Sequence, residues 1–191
     1  MRLPAAERRE QLLRTAIEVF GERGYHNASM NDVAEAAGVT KPVLYHHFAS
    51  KRDMYKGLLV DIGTELEDLI SKAAAQASGP REQIIFGFRA YFSFVEQNPS
   101  AFRVLFGAGT RRDEEFAAVA RRVEASIAEV VASLIEVEGL SPERRKLLGN
   151  GIVALAEGSC RYWLEHSVAV DAATLADDVS RLAWAGLRGI R

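Results

Sequence analysis

The sequence predicts an all-α protein: an N-terminal three-helix domain with a helix-turn-helix, then a C-terminal helical bundle. Three observations predict it. Apolar residues recur at three- and four-residue spacing along nearly the whole chain. Serine start signals and glycine stops divide that pattern into helix-length pieces. No segment carries the alternation of a half-buried strand, and no internal repeat is present.

The elements follow in order. Leu12, Leu13, Ala16, Ile17 and Phe20 share one face of a first helix, with Arg9, Glu10, Glu18 and Glu22 opposite. Gly24 ends it. Ser29-Met-Asn-Asp32 is a Ser-x-x-Asp start for a short helix through Val33, Ala34 and Ala37, which Gly38 stops. Thr40 opens another short helix. Ser50-Lys-Arg-Asp53 opens a long one through Leu58, Leu59, Ile62, Leu66, Leu69 and Ile70, expected to end near Ser78-Gly79. Pro80 suits the first turn of a helix ending at Asn98. Pro99 opens a short apolar segment, Ala101 to Phe106, with breaks expected at Gly107 and Gly109. An amphipathic helix is expected from Asp113 to Glu138, stopped by Gly139. Ser141-Pro142-Glu143 starts a helix to about His166, and Asp171 to Arg188 is the last.

Composition narrows the classes. At 191 residues the chain can bury a substantial core, and 48% hydrophobic with 26% charged is ordinary for a globular protein. No apolar run approaches the ~18 residues of a membrane span, and the first residues lack the apolar centre of a signal peptide. Cys160 is the single cysteine, so no intrachain disulfide forms. These features together predict a cytoplasmic protein that does not engage a membrane. Residues 1–56 hold nine Lys/Arg against seven Asp/Glu, whereas the remaining 135 hold fifteen against nineteen. The surplus of positive charge falls on the helix-turn-helix.

Two short helices joined through a glycine turn are the signature of a helix-turn-helix, whose second helix enters the major groove of DNA. The proline in "GVTKPVLYHHF" fits that role. With Thr40 as N-cap, Pro42 lies in the first turn, where backbone N–H groups have no intrahelical acceptor and a missing one costs little. Val39, Leu44 and Phe48 are expected to pack inward, leaving Thr40, Lys41, Pro42, Val43, Tyr45, His46 and His47 partly or fully outward. Lys41 and Lys51 suit phosphate neutralisation and Tyr45 a phosphate hydrogen bond. Thr40 and His46 suit base edges, and Pro42 and Val43 an apolar contact such as a thymine methyl. His47 suits packing against the helix more than base reading. The adjacent histidines are not at metal spacing, which on a helix is i and i+4. No metal and no cofactor is expected.

The stretch "GYHNASMNDVAEAAGVTKPVLYHHFASKRDMY" resembles the N-terminal domain of TetR-type transcriptional repressors. Phe20, Gly24, Tyr25, Ser29, Val33, Ala34, Ala37, Gly38, Val39, Leu44-Tyr45, His47-Phe48 and Lys51 match in order and spacing across residues 8–60. The resemblance implies a homodimer on a palindromic DNA operator, released when a small molecule enters the C-terminal bundle. It also implies that Ser29, Thr40, Lys41, Tyr45, His46, His47 and Lys51 stand at DNA-contacting positions. Pro42 departs from the family, which often has a small flexible residue there, and Val43 is bulkier than usual. The implied division is 1–50 for DNA binding, 51–78 for a connecting helix and 79–191 for ligand binding and dimerisation.

The second region is rich in aromatics: Phe86, Phe88, Tyr91, Phe92, Phe94, Phe102 and Phe106 fall within 21 residues. Bulky fill between helices accounts for most of them, and an apolar effector cavity would use some as lining. Phe88, Tyr91, Phe92, Phe102, Phe106, Glu157 and Trp163 are the candidate lining residues. Arg89 and Arg161 fit surface or ion-pair roles, and Glu157 fits a pocket or an ion pair. Cys160 fits a small buried apolar position. Small residues along the last two helices allow close helix approach. In TetR-like proteins those helices form the dimer interface. The stretch from "PSAFRVLFGAG" to "GSCRYWLEH" is similar to C-terminal domains of an actinobacterial TetR subgroup tied to fatty-acid metabolism, some members of which respond to acyl-CoA. That similarity implies a lipid-like effector.

Two other classes are disfavoured. There is no phosphate-binding glycine loop, nucleophile elbow or metal spacing to support an enzyme. A DNA-architectural dimer is usually strongly basic, whereas this chain has a formal net charge of −2. Repressors and activators dock alike, and the resemblance favours repression. A multidrug-type regulator would share the fold.

Overall fold

The computed structural model describes residues 4–190. These form α1 (Ala5–Asn27), α2 (Met30–Ala36), α3 (Lys41–His47), α4 (Lys51–Ala74), α5 (Pro80–Gln97), α6 (Pro99–Phe106), α7 (Ala108–Arg112), α8 (Glu114–Ser133), α9 (Pro142–Glu165) and α10 (Ala172–Arg188), with no strand among the described residues.

Local chemistry sets most of the boundaries. Gly24 takes φ +74° and kinks the last turn of α1. The Ser29 hydroxyl accepts the Asp32 N–H, and the Asp32 carboxylate accepts the Ser29 N–H, a reciprocal capping box. Gly38, at φ +65°, ends α2 in the left-handed conformation that a side chain disfavours. Thr40 is the N-cap of α3 without a side-chain cap bond, and Pro42 sits in its first turn. At the start of α4 the Ser50 hydroxyl accepts the Asp53 N–H while Asp53 accepts the Ala49 N–H.

Four boundaries differ from the sequence expectation. α1 runs past Gly24 to Asn27, so the glycine kinks the helix rather than ending it. α4 ends at Ala74, four residues short of 78, because the N–H groups of Gln76 and Ala77 turn back to the carbonyls of Ala73 and Ala74 in tight three-residue bonds. Gly109 does not break the chain: it lies inside the single-turn α7, and only Gly107 interrupts. α8 stops at Ser133 rather than Glu138. There Leu134 and Ile135 bond back to Val131 and Ala132, and the turn brings both Ile135 and Leu140 into the interior. Burying two large aliphatic side chains outweighs one further helical turn.

The chain folds as two compact units. The first comprises residues up to Gly63 together with Asn98–Arg121; the second comprises Thr64–Gln97 and Arg122 onward. In the first, α1 packs on α2, α6 and α7. A Cβ added at Gly21 would lie 2.5 Å from the Ser100 Cβ and 2.9 Å from its carbonyl oxygen, so α1 and α6 approach at backbone distance. Phe20, Tyr25, Tyr55 and Phe116 form an aromatic cluster with ring centroids 4.7–6.2 Å apart. The Tyr55 hydroxyl lies 2.8 Å from the Thr110 hydroxyl and donates to the Val104 carbonyl at 3.2 Å. In the second unit, α5 packs on α9 and α10. Gly149 of α9 meets the Ala128 carbonyl of α8 in another close crossing, 2.5 Å from an added Cβ.

Candidate nucleic-acid interface and effector unit

α3 is held from beneath. Leu44 and Phe48 are buried, as is Val33 of α2. That anchoring leaves Thr40, Lys41, Pro42, Tyr45 and His46 exposed and Val43 and His47 half-buried, so one face of a short helix presents the predicted reading residues together. Tyr45 is 51% exposed, which excludes a core role. The His46 and His47 rings meet edge to face at 5.3 Å, and His47 also leans on Phe48, which fits a buttress.

Ser29 is exposed, yet its hydroxyl is committed. It donates to Asp32 at 2.7 Å and accepts the Asp32 N–H. The Ser29 hydroxyl and N–H hold the Asp32 carboxyl below its ordinary 3.8, and Arg23 pairs with the other carboxylate oxygen at 2.8 Å.

The first turns of α4 carry three cations, two of them engaged. Arg52 bonds Asp113 at 2.8 Å and Glu115 at 2.5 Å, and its guanidinium lies 4.6 Å above the Phe116 ring. Lys56 bonds Glu115 at 2.6 Å. Lys51 makes no hydrogen bond or ion pair among the described residues; its ammonium stands 4.3 Å over the Tyr25 ring. Burial lowers the Lys51 pKa, and Asp32 opposes that shift. Sequence reasoning missed the Arg52–Asp113–Glu115 cluster, since 61 and 63 residues separate the partners and no local pattern links them.

The Lys56 and Arg52 hydrogen bonds bring the Glu115 carboxyl down from its ordinary 4.5 to about 2. A carboxyl depressed in the folded state adds stability above its unfolded value, and that contribution is lost as pH falls towards the folded value. Glu115→Gln is therefore expected to melt below wild type at pH 6. The two melting curves should converge as pH falls from about 4.5 to about 2. A gap that persists at the acid end would assign the effect to packing.

In the second unit, Phe88, Tyr91 and Phe92 are buried on α5, and Phe92 meets Trp163 edge to face at 6.5 Å. The Tyr91 hydroxyl is buried without a hydrogen-bond partner in good geometry, and Cys160, Glu157 and Arg161 are the polar groups acting on it. Glu157 pairs with Arg161, and Arg89 with Asp177, so both arginines are in ion pairs. Phe102 and Phe106 pair with each other at 5.0 Å and belong to the first unit. Burial pushes the Cys160 thiol up to about 12. The native protein should therefore resist alkylation by iodoacetamide at pH 8 and react fully once denatured, as read by mass spectrometry. Rapid native labelling would contradict this placement.

Among the described residues no helix is long and apolar enough to cross a membrane, and no group of three or more His, Cys, Asp or Glu is placed to hold a metal ion.

The family model for bacterial regulatory proteins of the tetR family matches residues 12–58, and that for the tetracyclin repressor-like C-terminal domain matches residues 80–186. The chain belongs to the TetR family. It is a ligand-responsive TetR-type transcriptional regulator, and this is not a family of enzymes. The transcriptional activator FasR of Mycolicibacterium smegmatis is 34% identical over 187 residues, 97% of this chain and 85% of FasR. The transcriptional repressor KstR2 of the same organism is 34% identical over 91 residues, 48% of this chain and 44% of KstR2. A TetR-like regulator from Rhodococcus sp. RHA1 superposes with a TM-score of 0.80 at 26% identity, covering 99% of this chain and 100% of that one. Bacillus subtilis FadR, solved in complex with stearoyl-CoA, shares the TetR fold with a TM-score of 0.79 at 19% identity, over 95% and 99% of the two chains.

Proposed function

We propose that this TetR-family protein is a cytoplasmic homodimeric repressor that leaves a palindromic operator when an apolar or amphipathic effector binds its second unit. The observation that carries the reading is the exposed face of α3 from Thr40 to His47, anchored by Leu44 and Phe48. Thr40, His46, Pro42 and Val43 read base edges and thymine methyls; Lys41, Tyr45 and Lys51 hold phosphates, with Ser29 flanking and His47 as buttress. The first N–H groups of α4 add to the phosphate site.

Two such helices must reach major grooves about 34–36 Å apart, which calls for a dimer. α9 and α10 are its proposed interface. Leu147 and Tyr162 on α9 and Leu182 on α10 are 72%, 60% and 63% exposed. A Cβ added at Gly151, Gly158 or Gly186 meets nothing. An open groove of about 550 Å³ runs between these helices, lined in part by Ala154, Gly158, Tyr162 and Trp163.

The effector is proposed to be a long-chain acyl-CoA or a similar lipid, taken among Phe88, Tyr91, Phe92 and Trp163, with Glu157 as a polar neighbour. Phe102 and Phe106 then serve as fill in the DNA-binding unit. That unit is taken to be residues 1–63 with 98–121. α4 and α8 are the helices along which effector binding would act on the reading head. A second reading, transcriptional activation, is favoured by the nearly full-length likeness to the activator FasR.

Fluorescence anisotropy tests the proposal, on duplex DNA from upstream of the protein's own gene against a scrambled duplex, with and without palmitoyl-CoA. Selective binding weakened by the acyl-CoA is the expected result, and operator DNA must weaken acyl-CoA binding by the same factor. Selective binding indifferent to acyl-CoA removes the effector. Absence of any selective site in a random-sequence screen removes the α3 reading. In vitro transcription from the bound promoter separates repression from activation.

A further inference from the structure

We propose that Tyr25 is a positioning residue for Lys51: its ring holds the ammonium at the first turn of α4 ready for a DNA phosphate, and Phe116 of α8 holds the ring. The inference rests on the reading of Lys51 as a phosphate contact.

Three cations occupy the first turns of α4, and the acidic start of α8 claims two of them. Arg52 is bound to Asp113 and Glu115, and Lys56 to Glu115. Lys51 is the cation left with its N–H donors unspent among the described residues. A lysine stem is flexible, and ordering it on a phosphate costs rotamer entropy. Here the ammonium already stands 4.3 Å from the Tyr25 ring centroid, within reach of the negative face of the aromatic quadrupole. Asp32 adds a favourable field. Its own carboxylate is occupied by the Ser29 N–H, the Ser29 hydroxyl and Arg23, so it attracts Lys51 without capturing it.

Tyr25 is itself fixed. Its ring stacks on Phe20 at 6.2 Å and meets Tyr55 at 4.9 Å and Phe116 at 4.7 Å, both edge to face. A chain of aromatic contacts thus runs from the first turn of α8 to a side chain proposed to touch DNA. Nothing in the chemistry calls for the Tyr25 hydroxyl; the ring face does the work.

The test compares Lys51→Ala, Tyr25→Leu, Tyr25→Phe and the Lys51→Ala/Tyr25→Leu pair on a duplex recovered from a random-sequence pool by the wild-type protein. Affinity is measured across salt. Lys51→Ala is expected to make the salt dependence shallower by about one counterion per bound subunit, equally on all sequences. Tyr25→Leu should reproduce most of that change and weaken binding up to roughly tenfold. Tyr25→Phe should restore the wild-type slope. Adding Lys51→Ala to Tyr25→Leu should cost little more.

If Lys51→Ala moves the slope and a folded Tyr25→Leu does not, the positioning role is overturned while the DNA contact stands. If Lys51→Ala itself leaves slope and affinity unchanged, the contact falls and the inference with it. Should Tyr25→Leu fail to fold, the wild-type protein gives the answer. Lysines dimethylated with ¹³C, with Lys51 assigned through Lys51→Arg, should show a Lys51 methyl resonance shifted upfield by the ring. An unshifted resonance overturns the proposal.

Discussion

Phe116→Ala is expected to lower the unfolding free energy by about 3–5 kcal/mol, the usual range for truncating a buried aromatic. Phe116 is completely buried. Its ring contacts those of Tyr25 and Tyr55, both at 4.7 Å, and carries the Arg52 guanidinium on its face. The alanine variant leaves a cavity among rings already pinned by other contacts, so collapse is limited. It also removes the apolar platform under a cation whose carboxylate partners remain. Urea denaturation followed by circular dichroism reads the loss, and Phe116→Leu should lose less. A loss below about 1 kcal/mol would mean that the cluster is not a core of this unit.

Lys41→Ala/Lys51→Ala is expected to weaken DNA binding about a hundredfold or more at physiological salt, without loss of fold. In a dimer the pair removes four phosphate contacts. At about 0.9 counterions each, the slope of log K against log salt should become shallower by roughly 3.6. The loss should be the same for the preferred site and for random DNA, since phosphate contacts carry no sequence information. Lys41 is exposed, and Lys51 gives up only its seat on Tyr25, so the melting temperature should change little. Thr40→Ala or His46→Ala should behave oppositely, changing base preference at a nearly constant salt slope. An unchanged slope in the lysine pair would remove this face from the DNA interface.

The helix-turn-helix was legible in the sequence because its punctuation is local. Ser29 with Asp32, Gly38, Thr40 and Ser50 with Asp53 each act within four residues, and each stands where the sequence places a boundary. The ends of α4 and α8 were not, since what stops α8 is the pull of Ile135 and Leu140 into the interior. Phe102 and Phe106 illustrate a second limit. An apolar helix announces that it will be buried but not which core receives it, and α6 joins the unit that contains α1. The engagement of Arg52 and Lys56 was equally hidden. Sequence alone leaves three equivalent cations at the start of α4, and only the fold shows that Lys51 alone among them has spent no donor within the described residues.

The close crossing of Gly21 on Ser100 has a consequence for how the protein is made. α1 finds its backbone-distance partner 79 residues later, as the numbering of Gly21 and Ser100 shows. The first 63 residues therefore cannot finish their core as they leave the ribosome. They must wait for α6, α7 and the start of α8, with the Phe20, Tyr25 and Tyr55 rings short of Phe116 in the meantime. The same discontinuity limits recombination. A reading head cut after Gly63 and grafted onto another effector unit would leave residues 98–121 behind. A working chimera has to carry both segments.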